Sequence, residues 1–234
     1  MFDGLARALF PSRCFGCGAP GLALCTGCRP SSAAVRRARI GGLDVVAAAP
    51  YGGTWRRTIL AYKRGRRDAG DALSGVLARC AADVVRGGRD VLVPVPTAPA
   101  RRRERGFDQG VRLARDVGRA AGVPVLAALR QSAGDAQRGR SRAQRLRAWG
   151  RFVCEAPGLV RGVEVVLVDD VVTTGATLRD CAATLERCGA VVRVALVLGC
   201  AGDPEPSCIG SHVRRVDTLA DRGDTLWQKP FGTA

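Results

Sequence analysis

Apolar residues in this chain fall into short runs, separated by stretches rich in arginine and glycine. The clearest run is Val163–Val168, interrupted only by Glu164 and dominated by branched residues. Its length and composition predict a strand buried on both faces. Asp44–Pro50, Asp90–Pro96 and Val191–Leu198 predict three more strands, the second ended by its own prolines. Val123–Leu129 and Phe152–Cys154 are shorter candidates, the latter returning from a polar, arginine-rich loop over Arg130–Arg151. Between these runs the period becomes helical. Leu73, Val76, Leu77, Cys80, Ala81 and Val84 share one face over Asp71–Arg86. Trp55, Ile59 and Leu60 mark a short helix within Tyr51–Gly65, with Thr54 as its candidate N-cap. Two more helices are expected, one from Gln109 to about Ala121 and one over Leu178–Arg187. Pro30–Gly42 reads as a basic linker.

Strands alternating with helices predict an α/β fold, a parallel sheet flanked by helices with right-handed crossovers. Such sheets bind ligands beyond the carboxyl ends of their strands. The expected organisation is a small knuckle and linker over 1–42, an α/β domain over 43–200, and a polar tail over 201–234. Trp227 and Phe231 offer the alternative that the tail packs back on the domain.

The strand ends carry the candidate chemistry. Asp169 and Asp170 stand where the Val163–Val168 strand is expected to stop, followed by Thr173, Thr174, Gly175, Ala176 and Thr177. A helix start offers unpaired N–H groups and the positive end of a dipole, which suits phosphate. Gly175 permits close backbone approach and the threonines add donors. The aspartates can accept hydrogen bonds from two ribose hydroxyls. The plainer alternative is an ordinary strand-to-helix turn with a threonine cap. The Asp90–Pro96 strand delivers Pro96, Thr97 and an arginine-rich loop to the same sheet edge, with Arg103 and Arg105 as candidates to neutralise a diphosphate. Lys63, in a cluster with Arg64, Arg66 and Arg67, is either a further anion contact or part of a solvated surface.

Charge and cysteine content sharpen this picture. The 234 residues carry a formal charge of +16, nearly all of it arginine, which favours phosphorylated ligands, nucleic acid or anionic surfaces. Composition bias explains the preference for arginine over lysine but not the shortage of acid. The single histidine, His212, lies in the polar tail, which argues against histidine-based catalysis. No apolar run reaches the ~18 residues that span a membrane, and Met1–Phe10 lacks a secretory pattern, so the expected location is cytoplasmic. Of ten cysteines, Cys14, Cys17, Cys25 and Cys28 form two Cys-x-x-Cys pairs seven residues apart. Two tight thiolate pairs suit one tetrahedral Zn2+ with no open position, a structural site. A redox role for one pair is the alternative.

The string Val165–Leu178 resembles the phosphoribosyl-diphosphate (PRPP) motif of type I phosphoribosyltransferases: four apolar residues, two acidic, two apolar, then Thr-Gly-x-Thr. The tandem cysteine pairs, Tyr51-Gly52, Lys63, Val93–Pro96, Arg105-Gly106-Phe107-x-Gln109, Gln137 and the Asp169 motif occur in one order. That order resembles the ComF family, competence-linked proteins with a type I phosphoribosyltransferase domain and an N-terminal zinc finger. The resemblance covers about residues 14–200. It implies PRPP and Mg2+ as ligands, catalytic or ribose-binding roles for Asp169 and Asp170, and partners among competence proteins. It also implies a role in DNA uptake, with single-stranded DNA on the basic surface. Trp55, Tyr62 and Trp149 are candidate stacking residues for such a strand, with core packing as the alternative. The other function it implies is transfer of ribose 5-phosphate to a small nucleophile. The chain departs from the family at Asp108, where asparagine is usual, and at Ala148, where a second asparagine is expected.

Overall fold

The computed structural model describes residues 12–132 and 151–201. Its centre is a five-stranded sheet in the order β1-β2-β7-β6-β3. The strands are β1 (Arg36–Ile40), β2 (Leu43–Pro50), β3 (Asp90–Pro94), β6 (Glu164–Val172) and β7 (Val191–Cys200). All neighbours are parallel except β1 and β2. Helices α1 (Gly53–Lys63), α2 (Arg67–Ala82), α3 (Pro99–Arg105), α4 (Gln109–Ala121), the single turn α5 (Pro157–Val160) and α6 (Ala176–Glu186) connect them. A separate two-stranded ribbon, β4 (Leu129–Gln131) with β5 (Phe152–Cys154), lies between α4 and α5 in the chain.

The alternation of side chains along the strands builds two cores. Val46, Ala48, Val166, Val168, Leu196 and Leu198 face one side, where Ile59, Leu73, Leu77, Leu113 and Val117 from α1, α2 and α4 cover them. Val45, Ala47, Val165, Leu167, Ala195 and Val197 face the other, against Leu178, Cys181 and Leu185 of α6 and Phe152 of β5. This two-sided covering explains why β6 and β7 read as unbroken apolar runs.

Several expectations need correction. The Pro30–Gly42 linker contains β1, a strand of the main sheet. Arg37 and Arg39 flank buried Ala38, and Gly41 and Gly42, at φ 60° and 88°, form the two-residue turn to β2. A two-residue hairpin of that twist needs positive φ at both positions, which glycine adopts without steric cost. The arginine run after β3 is a helix, not a loop: Pro99 opens α3 and Gly106, in the left-handed region, ends it. Gly52 caps α1, so Thr54 lies inside the helix, where its carbonyl accepts from the Thr58 hydroxyl at 3.1 Å. α2 begins four residues earlier than Asp71 and stops at Ala82. Val123–Leu129 is mostly not a strand; Val125 makes one bridge to Leu92, and pairing with β5 starts only at Leu129.

Trp55 and Tyr62 are core residues. The Trp55 indole donates to the Leu198 carbonyl at 2.7 Å, and Tyr62 is 1% exposed. Neither presents a face for stacking a base. Trp149, Gln137, Ala148, the arginines at 138–147 and the 202–234 tail with Trp227 and Phe231 lie outside the described residues.

Candidate ligand-binding cleft and metal centre

β3 stops at Pro94, opposite Val168, while β6 continues to Val172. The last link on that side is the Val95 amide donating to the Val168 carbonyl at 2.8 Å. Beyond it, β6 keeps β7 on one side only, with Asp169 opposite Val197. The strand therefore runs through the two aspartates instead of ending before them, and the side that β3 vacates is open. A cavity of about 450 Å3 occupies this place. Asp169, Asp170, Thr177, Pro96, Thr97, Arg105 and Lys63 all line it. Segments far apart in sequence thus bring seven of the expected site residues to one cavity.

The remaining expected residues lie elsewhere. Thr173, Thr174, Gly175 and Ala176 turn into α6 outside the cavity wall. Thr174 Oγ1 accepts from the Ala176 amide at 3.4 Å, an internal cap. Gly175 has φ 72°, and a Cβ there would meet Ile40 Cγ2 at 2.3 Å. The close approach that requires glycine is thus to the β1 hairpin. Arg103 points away on exposed α3, and Arg101 takes the place expected of it beside Arg105. Residues four apart share a helix face, so this phase follows once the arginine run is seen as a helix. Of the basic cluster around Lys63, only Lys63 reaches the cavity; Arg66 pairs with Asp68 and lies over the Phe15 ring.

Gln131, Arg151 and Phe152 complete the wall from the β4–β5 ribbon, and sequence reasoning missed them. Arg151 also binds Asp180 of α6 at 2.9 Å. A three-residue strand flanked by a polar loop offers no periodic signal from which to place them.

Among the charged groups of the cleft, Lys63, Asp169, Asp170, Arg105 and Arg151 each have a partner. Lys63 Nζ lies 3.0 Å from Asp170 Oδ2. Asp169 Oδ1 accepts from the Asp170 amide at 2.7 Å. Burial, and then repulsion from the Asp170 carboxylate, push the Asp169 carboxyl up to about 8. Arg105 donates to the Gln109 side chain. Gln109 is itself locked to α1: its side chain donates to the Tyr62 carbonyl at 2.7 Å, and the Tyr62 hydroxyl donates to its carbonyl at 2.8 Å. Asp108 caps α4, accepting from the Val111 amide at 3.2 Å and the Thr97 hydroxyl at 3.1 Å. The acid at position 108 therefore serves the helix as asparagine would, with a favourable charge at its N-terminus. Lys63, Arg101, Arg105 and Arg151 outnumber the two aspartates, so the cleft suits a ligand with several negative charges.

A second centre lies in the N-terminal knuckle. The ligand atoms of Cys14, Cys17, Cys25 and Cys28 all lie within 4.8 Å of one another, and Cys17 Sγ is 3.7 Å from Cys25 Sγ. Bonds of ~2.3 Å in a tetrahedron place thiolates ~3.8 Å apart. The donor set thus fits a single metal ion such as zinc. Burial pushes the Cys14 thiol up, but N–H groups of Cys25, Cys17 and Gly16 outweigh it and bring it to about 6, favouring thiolate. Gly16 is required: a Cβ would meet Cys28 Sγ at 2.7 Å. The described part of the knuckle packs into the core of the domain. Cys14 and Leu24 are buried in the same cluster as Trp55 and Val76, and Arg57 donates to the Gly16 carbonyl at 2.5 Å.

Solved structures similar in part to this chain include three. One, described as the allosteric regulatory enzyme of purine biosynthesis, is 20% identical over 59% of this chain, with a TM-score of 0.44. The glutamine PRPP amidotransferase from B. subtilis, complexed with ADP and GMP, is 22% identical over 59%, with a TM-score of 0.43. This chain spans 30% of the length of each. A phosphoribosyltransferase from Corynebacterium diphtheriae is 21% identical over 62% of this chain and 64% of its own, with a TM-score of 0.30. No curated protein sequence matches this chain. A family model described as the phosphoribosyl transferase domain matches residues 105–226, which hold Arg105, Arg151, both cleft aspartates and the loop to α6. With just over half of its residues matched, the chain belongs to the phosphoribosyl transferase domain family.

Proposed function

We propose that the cleft binds PRPP with Mg2+. One observation carries this reading: an acidic pair and the cations Lys63, Arg101, Arg105 and Arg151 line one cavity at the carboxyl ends of β3 and β6. Asp169 and Asp170 would accept from the ribose hydroxyls. The turn Thr173–Thr177 would hold the 5-phosphate at the start of α6, and Pro96, Thr97 and the α3 arginines the diphosphate. Arg103, exposed on the far side of α3, is not part of this set. Mg2+ would arrive with the diphosphate and share its charge. Zn2+ in the four-cysteine centre would be structural. The domain would run over 43–200, with the knuckle and β1 preceding it.

For the cellular role we propose a ComF-like accessory protein of the cytoplasm that acts in DNA uptake with competence proteins and binds single-stranded DNA. The order of motifs and the charge of +16 support this. With Trp55 and Tyr62 in the core, the contact offered by the described residues rests on charge. Arg101, Arg102 and Arg103 are exposed and form no ion pair among the described residues.

Catalysis is the second reading, favoured by the cations at the diphosphate position. An acceptor's lone pair would bond to the ribose anomeric carbon as its bond to diphosphate breaks. The departing oxygen would keep the electron pair, stabilised by Arg101 and Arg105. Such chemistry depends on positioning and charge, and needs no histidine.

Calorimetric titration with PRPP should show saturable binding that strengthens with Mg2+; no heat in either condition would refute the reading. Single-stranded DNA should bind with log affinity falling by about 3 to 4 per decade of salt, as expected for roughly four to six phosphates. Saturating Mg2+–PRPP should weaken it, because the α3 arginines would serve both. Absence of binding to a labelled oligonucleotide at low salt would remove the DNA role and leave the PRPP site standing.

A further inference from the structure

A second cavity, of about 390 Å3, lies between the cysteine knuckle and the outer side of α2 and shares no residue with the cleft. Val35, Ala48, Val76 and Cys80 supply an apolar floor, and Arg29 and Arg79 supply its cations. A smaller cavity of about 290 Å3 shares Arg29, Val76 and Arg79 and continues to Leu22, which is 58% exposed. The two make one groove.

Both arginines stand apart from acidic side chains among the described residues. Among the described residues neither side chain makes an ion pair or a hydrogen bond. Asp83 lines the larger cavity without pairing with Arg79, and Asp71, in the smaller one, is taken by Arg112 at 2.6 Å. Burial, and then the nearby Arg29, lower the Arg79 guanidinium below its ordinary value. Burial pushes the Cys80 thiol up, so it stays neutral and serves as apolar wall. Arg29 is half-buried and Arg79 exposed, so two like charges stand together at the rim of an apolar floor, where an anion would be favoured. A purely inorganic anion would leave the floor wet, and a neutral apolar molecule would leave the arginines unpaired.

We propose that this groove is a second ligand site, specific for an organic anion with an apolar body. The acidic group sits between Arg29 and Arg79, and the body rests on Val35, Ala48 and Val76. The volume falls within the range of small-molecule sites. The site is independent of the PRPP reading, because it uses neither the aspartates nor the α3 arginines.

The probe is anilinonaphthalene sulfonate, a sulfonate on an aromatic body, followed by fluorescence with the full chain. One saturable site is expected. Arg29→Gln combined with Arg79→Gln should weaken it about tenfold or more, the usual scale for losing charge-assisted hydrogen bonds. Arg29→Lys with Arg79→Lys should retain most of the affinity, which a loss of folding in the glutamine variant would not explain. Inorganic diphosphate with Mg2+ should leave the dye in place. Wild-type affinity in the glutamine variant, displacement by diphosphate, or the absence of saturable binding would each overturn the proposal.

Discussion

Replacing Asp169 by asparagine is expected to stabilise the ligand-free protein and, combined with Asp170→Asn, to abolish PRPP binding. The first effect follows from the environment of the carboxyl. Its value in the fold is about 8, against 3.8 for the free side chain. Below pH ~4 the group is protonated folded or unfolded and contributes nothing to the difference. Between about 4 and about 8 the unfolded chain ionises it while the fold holds the proton, so ligand-free stability falls as pH rises through that window. Asparagine removes this slope and can still accept from the Asp170 amide. Because Asp169 keeps contact with water in the cleft, the expected gain near neutral pH is ~2–3 kcal/mol, about half of what the full displacement implies. In a chain of this size that raises the melting temperature by roughly 5–10 °C.

The second effect has the opposite sign for function. Two carboxylates that each accept from a ribose hydroxyl contribute charge-assisted bonds, and losing both should cost on the order of 3–6 kcal/mol of affinity. Binding should also strengthen as pH rises toward and through about 8, as Asp169 becomes a better acceptor. Calorimetry and thermal melts on the same variants test both. A double variant with unchanged PRPP affinity would show that the pair is structural, and a destabilised Asp169→Asn would show that the carboxyl is not strained.

Removing the metal centre should have a comparable effect on the fold. We expect one Zn2+ per chain in protein purified without added metal, and its loss in Cys25→Ser. Four thiols crowded within 4.8 Å compete for protons in the absence of a cation, and burial together with its cysteine neighbours pushes Cys28 up to about 12. Binding free energy of this kind becomes folding free energy, because the unfolded chain has no preformed site. The loss spreads beyond the knuckle, since Phe15, Cys25 and Cys28 pack against the cluster that contains Trp55, Tyr62 and Leu73. Several kcal/mol of stability should go with the metal, and Trp55 fluorescence should report the opening. A Cys25→Ser protein retaining full zinc would place the ion elsewhere.

What could be read from the chain alone was whatever depends on near neighbours. The four thiols needed only their spacing, because two Cys-x-x-Cys turns converge by local geometry. β6 and β7 were legible because strands covered on both faces must be apolar throughout, and Asp169 and Asp170 stood out as the first charges after such a run. β1 was hidden: five residues with three arginines resemble a linker until Gly41-Gly42 folds them onto β2. The α3 arginines looked like a loop for the same reason, and only the helix decides that Arg101 and Arg105 share a face while Arg103 leaves it. The rest of the cleft belongs to tertiary structure. Gln131 and Arg151 reach the cavity of Asp169 from a ribbon with three-residue strands, whose position no periodicity encodes. Lys63 meets Asp170 because α1 ends beside the strand that β3 leaves uncovered. The raised carboxyl of Asp169 exists only there, since a carboxyl's charge is set by the water and the neighbours that folding removes or supplies.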